Sequence, residues 1–170
     1  MQQTKWITRK FTFDHQENIF PSIIERLEGT PIRLQHKIKM IPEEIQSKRL
    51  DGTWSIKENI GHLIDLEELW QGRLEDILEG KEYMRVWDVT NQQTFDAQHN
   101  EKSIEELTAK FEEVRTHTIL SLQALEEADI FKQALHPRLE IPMRMMDLFL
   151  FVAEHDDHHL ARITYLQKTF

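Results

Sequence analysis

The sequence predicts an all-α protein, a four-helix bundle with a long connection between the second and third helices. Three observations carry that prediction. Apolar residues recur at three- and four-residue spacing in four separate stretches, the signature of helices with one buried face. Two of those stretches open on a Ser-x-x-Glu capping box, at Ser55 to Glu58 and at Ser103 to Glu106. Five Gly and five Pro in 170 residues leave too few turn residues for an all-β chain, while 39% hydrophobic and 30% charged residues suit a globular helical one. The length fits a single domain spanning 1–170.

The elements follow in order. The first dozen residues mix Trp6, Lys10, Phe11 and Phe13 without a helical period and read as an ordered arm that docks its aromatic side chains on the core. From Asn18, Phe20, Ile23, Ile24 and Leu27 keep helical spacing. Gly29-Thr30-Pro31 is expected to break this first helix before Leu34 and Ile38 resume it, with an end near Ile41. Asp51-Gly52 is a turn signal, and the helix opened by Ser55 carries Leu63, Leu66, Trp70, Leu74 and Ile77 to about Gly80. His62 falls at the edge of its apolar stripe, while Asp65, Glu67, Glu68, Arg73, Glu75 and Asp76 read as its solvated face. Lys81 to Lys102 is irregular, and a connection of that length is often part of a site or carries a short helix. The third helix runs through Leu107, Phe111, Val114, Ile119, Leu122 and Leu125 to about Glu127. After it, His136-Pro137 and Ile141-Pro142 predict a loop, with Pro142 opening a last helix to Tyr165 whose middle is apolar nearly all round.

Composition narrows the chemistry. With no cysteine, the protein has no thiolate of its own, and a reducing cytoplasm is the expected setting. Met1 to Trp6 lacks a signal-peptide core and no apolar run reaches a membrane span, so no membrane association is expected. A net charge of −9 argues against nucleic acid as a partner, because an acidic surface repels the phosphate backbone. No P-loop, dinucleotide fingerprint, nucleophile elbow or His-Glu-x-x-His motif is present.

Histidine carries the remaining signal. His155 and His159 lie one turn apart on one face of the last helix and can grip a single ion together, whereas His158 diverges from His159 by about 100°. His62 is the third candidate ligand, projecting from another helix of the bundle. Three neutral imidazoles with an open position suit zinc, nickel or iron(II). The alternative is that His155 and His159 are satisfied core or boundary histidines and that His62 merely flanks an apolar stripe. His15, His36, His99, His117 and His136 read as surface or capping residues, His158 more as a helix-surface residue than as a proton donor, and Asp156 and Asp157 as solvating groups. Trp54 and Trp70 read as core rather than as part of a substrate box. His155-Asp156 is similar to the dipeptide of helical metal phosphohydrolases, but no aspartate follows Asp157 to complete that set.

Two segments, Trp54 to Glu67 and His155 to Ile163, resemble the DinB-like (YfiT-like) metalloenzyme family. The resemblance implies a four-helix bundle in which the first segment supplies one histidine and the second two to a single divalent ion, here His62, His155 and His159. Family members often carry glutamine where this chain has Arg162. Characterised relatives include bacillithiol-dependent S-transferases and a mycothiol-dependent maleylpyruvate isomerase. The resemblance thus implies a metal-dependent enzyme acting on a small electrophile, with a low-molecular-weight thiol as a further cofactor. A metal-dependent hydrolase and a non-enzymatic, metal-stabilised stress-response bundle are the alternatives. An exposed aromatic arm makes a homodimer plausible.

Overall fold

The structure, a computed structural model, describes residues 3–170; the first two residues of the expected 1–170 domain lie outside it. Four long helical elements form the bundle: α1 (Phe20–Ile38), the consecutive pair α3 (Ile56–Asp65) and α4 (Glu67–Leu78), α6 (Ile104–Gln123) and α8 (Met145–Thr169). Short helices α2 (Glu43–Gln46), α5 (Gln92–Asp96) and α7 (Glu127–Ile130) sit in the connections, α5 within the long segment between the second and third bundle helices. Both α1 and α3 pack on α6 and α8.

Local chemistry explains most boundaries. Ser55 Oγ accepts from the Glu58 amide at 3.1 Å while Glu58 Oε2 accepts from the Ser55 amide at 2.8 Å, closing the expected capping box. Ser103 caps α6 through the Glu106 amide. The second helix is interrupted at Leu66, yet backbone bonds continue across it, from the Leu66 amide to His62 and from the Trp70 amide to Leu66.

Three expectations are corrected. The first helix does not break at Gly29 to Pro31; Pro31 lies inside α1. Proline cannot donate to the Leu27 carbonyl four residues earlier, and Arg115 Nη1 reaches that carbonyl instead, at 3.5 Å. A partner from another helix thus stands in for the missing amide. The segment before the last helix is a two-stranded hairpin rather than a loop, β1 (Gln133–Leu135) against antiparallel β2 (Pro142–Arg144). Pro142 therefore belongs to a strand, and α8 starts at Met145, where Asp147 Oδ2 accepts from the Arg144 amide at 3.0 Å.

The aromatic arm docks on its own chain. Trp6 and Phe11 each lie 4.9 Å, ring centre to ring centre, from Phe151 of α8, and Phe13 stacks on Phe11. Trp6, Phe11 and Phe13 are half-buried by this docking.

The core has two apolar regions. Leu27, Trp70, Ile119, Phe149 and Val152 belong to one, and Leu34, Ile60, Leu63, Phe111 and Ile163 to the other. Each large side chain taken fully from water contributes about 1.5–3 kcal/mol. A polar cluster crosses the bundle as well. Arg115 on α6 is fully buried, its Nε donating to Glu67 of α4 at 2.7 Å and its Nη2 to Asp156 of α8 at 3.1 Å. With the Leu27 carbonyl of α1, this one guanidinium touches every bundle helix. Glu67, Arg73, Asp76 and Asp156, read from the sequence as solvated, are all buried.

Candidate metal centre

His62 of α3 and His155 and His159 of α8 converge, and one nitrogen from each lies within 4.8 Å of the other two. All three side chains are buried. His62 thus points inward rather than lying at the edge of a stripe. The tautomers of two of them are set by neighbours. Asn59 Nδ2 donates to the Ser55 carbonyl at 2.7 Å, which turns Oδ1 toward His159 Nδ1 at 2.8 Å. Oδ1 can only accept, so His159 carries its proton on Nδ1 and leaves Nε2 as a bare lone pair.

A longer chain of donors does the same for His62. Thr94 Oγ1, on α5, donates its single proton to Asp65 Oδ2 at 2.8 Å and lies 3.1 Å from His62 Nδ1, from which it accepts. His62 Nε2 is therefore also free of hydrogen. Asp65 Oδ2 accepts in addition from His99 Nε2 at 2.9 Å. The His99 ring lies across α3 only because residue 61 is glycine: a Cβ there would come within 2.1 Å of it. His99, expected at the surface, is buried for this reason.

His155 completes the trio. Its Nε2 is 3.2 Å from His159 Nε2, while its Nδ1 is buried with no hydrogen-bond partner among the described residues. Two ligand nitrogens of a tetrahedral zinc shell, with bonds of ~2.0–2.1 Å, are separated by about 3.3 Å, so this pair already has the needed spacing. Burial lowers the pKa of all three imidazoles, His62 to about 4 and His155 and His159 well below their usual value, with repulsion from neighbouring histidines, His158 among them in each case, adding to the effect. The site is neutral and ready for a cation at neutral pH. The donor set, its spacing and the tautomers of His62 and His159 fit one divalent ion.

The trio borders a cavity of about 660 Å³. All four tryptophans of the chain line it, Trp6 from the arm, Trp54 before α3, Trp70 from α4 and Trp87 from the long connection. Trp54 and Trp70 are thus cavity wall, not only core. His158 also lines the cavity rather than facing solvent, half-buried, with Gln3 Nε2 3.0 Å from its Nδ1. His136, expected at the surface, is buried in the hairpin connection and lines the same cavity with Arg73 and Arg138. His36 and His117 are exposed as expected, and Glu58 serves the cap and Arg49.

Residues 26–163 match the family model of the DinB superfamily. The chain belongs to the DinB superfamily. No curated protein matches it in sequence. Among solved structures it is similar to YfiT from Bacillus subtilis, a probable metal-dependent hydrolase with an unusual four-helix bundle topology, at TM-score 0.78 and 19% identity over 95% of this chain and 93% of that one. A Streptococcus pneumoniae protein is similar at TM-score 0.67 and 16% identity over 91% and 93% of the two chains. The colibactin self-resistance protein ClbS, solved in complex with a dsDNA, is similar at TM-score 0.67 and 15% identity over 91% and 98%. These likenesses establish the DinB-type fold. They also correct the exclusion of nucleic acid: a protein of this fold is seen with dsDNA, so the overall charge of −9 is no ground for excluding it. Net charge sums over the whole surface, whereas a contact depends on local potential. No helix of the described residues is long and apolar enough to cross a membrane.

Proposed function

We propose that this chain is a metal-dependent hydrolase in which His62, His155 and His159 hold one divalent ion, zinc or nickel before iron, at the wall of the tryptophan-lined cavity. The observation that carries the reading is the orientation of the trio: two of the three imidazoles have their outer nitrogens engaged by Asn59 and Thr94, so that their inner lone pairs are turned toward the third histidine and the cavity. A divalent ion there supplies Lewis acidity that favours the deprotonated form of water or of a thiol near neutral pH. The protein's own part is to keep the imidazoles neutral by burial, to fix the His62 and His159 rings through the Thr94–Asp65–His99 chain and Asn59, and to wall the approach to them with aromatic side chains. The arm, the connections and helices α3, α4 and α8 all contribute to the lining, which supports reading 1–170 as one domain.

Transfer to a small thiol is the second reading. It is favoured by the absence of cysteine and by a cavity of about 660 Å³, within the range of pockets that enclose a drug-sized ligand. A screen of activated esters and amides with metal-loaded protein, run with and without added low-molecular-weight thiol, separates the two. Turnover without thiol that disappears in His159→Ala supports the hydrolase; turnover only with thiol supports transfer. No turnover in either, with stoichiometric metal and a melting temperature that falls on chelation, supports a metal-stabilised binding bundle. Double-stranded DNA belongs in the same screen as a ligand, given the ClbS complex; phosphate contacts would show as affinity falling steeply with salt.

A further inference from the structure

A second group of residues in the cavity is unexplained by the metal centre. Arg73 of α4 is 2% exposed, as deeply buried as Arg115. Arg115 has two carboxylates, whereas among the described residues Arg73 has none within ion-pair distance. Buried charges are ordinarily paired, because desolvation without a partner is costly. Asp76, the carboxylate whose charge Arg73 feels, is already engaged by Lys81 Nζ at 2.8 Å and the Arg85 amide at 2.6 Å. Arg73 Nε donates to the Arg85 carbonyl at 3.1 Å, and its Nη2 has no protein partner among the described residues.

The neighbouring imidazole sharpens the deficit. His136 Nδ1 accepts from the backbone amides of Arg138 and Leu139, both at 3.2 Å. The neutral ring then carries its proton on Nε2, and Arg73 Nη1 faces that Nε2 at 3.1 Å. Two donors confront each other with no acceptor between them. Arg138, half-buried in the same lining, makes no side-chain hydrogen bond or ion pair among the described residues. Burial first, then the neighbouring Arg73 and Arg138, lower His136 to about 3, and burial lowers Arg73 to about 10. Both groups lie in a positive, desolvated environment.

We propose that Arg73, His136 and Arg138 form a subsite for an oxyanion group, a carboxylate or phosphate, carried by the small molecule that the cavity binds. An oxygen accepting from His136 Nε2–H and Arg73 Nη1–H resolves the donor conflict, and the guanidinium groups supply the charge that an oxyanion pairs with. The Trp70 indole is a neighbour of both groups, with Arg73 Cζ 5.5 Å and the His155 ring 5.9 Å from its ring centre. A substrate would thus carry its anionic group beside the same indole that the His155 ring packs against. The role of this group as substrate rests on the function proposed above; the binding of an oxyanion does not.

The test is titration of the full chain with succinate and with inorganic phosphate at constant ionic strength, chloride as control. Tryptophan fluorescence and melting temperature are the readouts, since four tryptophans line the cavity. Wild type, Arg138→Gln, Arg73→Lys and His159→Ala are compared, with metal content measured for each. Saturable binding that raises the wild-type melting temperature, weakens at least tenfold in Arg138→Gln, and persists in His159→Ala supports the subsite. Arg138→Gln changes a half-buried side chain without partners, so its fold and metal content should match wild type. No saturable binding of either anion to wild type overturns the proposal, as does unchanged affinity in both arginine variants. Anion binding lost in His159→Ala alone also overturns it, since the anion would then sit on the metal. Anion binding by a wild-type protein that takes up no metal supports the subsite and overturns only the metal reading.

Discussion

Asn59 and His159, one hundred residues apart in the chain, are joined by a 2.8 Å hydrogen bond that decides which nitrogen of the imidazole faces the cavity. The amide cannot be turned over without cost, because its Nδ2 is held by the carbonyls of Trp54 and Ser55 at the start of α3. The capping turn of one helix thus orients a ring on another. Replacing Asn59 with Ala should lower metal affinity ~10–100-fold, the usual effect of removing a partner that orients a ligand histidine. Competition with a chromogenic chelator measures it; affinity equal to wild type would remove Asn59 from the site.

Elemental analysis of protein purified without a His-tag or chelator should find close to one divalent ion per chain in wild type. His62→Ala and His159→Ala should each lose it. Retention of metal by either variant would show that the ion is held elsewhere.

The pH dependence follows from the imidazoles. Burial holds His62 at about 4 and His155 and His159 well below the ordinary 6.5. Between about pH 6.5 and 4 the unfolded chain takes up protons that the folded site refuses, so stability falls as pH drops through that window and is level above it. Protons also compete with metal, so chelator-free metal loss should occur over the same acidic range. Urea unfolding at pH 7.5 and pH 5, with and without metal, checks both. The three histidine-to-alanine replacements combined should reduce the dependence, leaving the share of His136, held at about 3, and of His158, held at about 4.

Gly61→Ala places a Cβ within 2.1 Å of the His99 ring. His99 must then leave Asp65, or α3 must shift. Overpacking of this kind typically costs about 1–3 kcal/mol, and loss of the Thr94–Asp65–His99 chain should loosen His62. Calorimetry and metal titration of the variant should show reduced stability together with weaker metal binding; weaker stability alone would make the chain structural only.

Asp156→Ala leaves Arg115 buried with one carboxylate instead of two. Breaking a buried ion pair by removing one partner costs about 3–5 kcal/mol. Equilibrium denaturation should show a loss of that size, whereas a change below 1 kcal/mol would mean that Glu67 alone suffices for Arg115.

Much of this was legible in one dimension. Helical spacing and Ser-x-x-Glu boxes are local signals, and the bundle helices, both serine caps and the aromatic arm lie where that spacing and those side chains predict. The trio was legible for the same reason: four-residue spacing places His155 and His159 on one face whatever packs against it, and His62 lies on a second amphipathic stretch. Length and composition likewise set the all-α class.

What the sequence could not determine depends on which surfaces meet. Glu67, Arg73, Asp76 and Asp156 are polar residues beside an apolar stripe, and on a lone helix such residues face water. Packing of α1 and α3 on both α6 and α8, and of the hairpin on the bundle, withdraws them from it. Pro31 breaks an isolated helix, yet Arg115 from α6 supplies the missing donor and α1 continues. His99 and His136 carry no local mark of burial, because the groups that enclose them, Gly61 and Asp65 for one and Arg73 for the other, lie more than thirty residues away. Periodicity chose the helices and the histidines; long-range contacts, which no local period encodes, decided how the rings are oriented and which charges line the cavity.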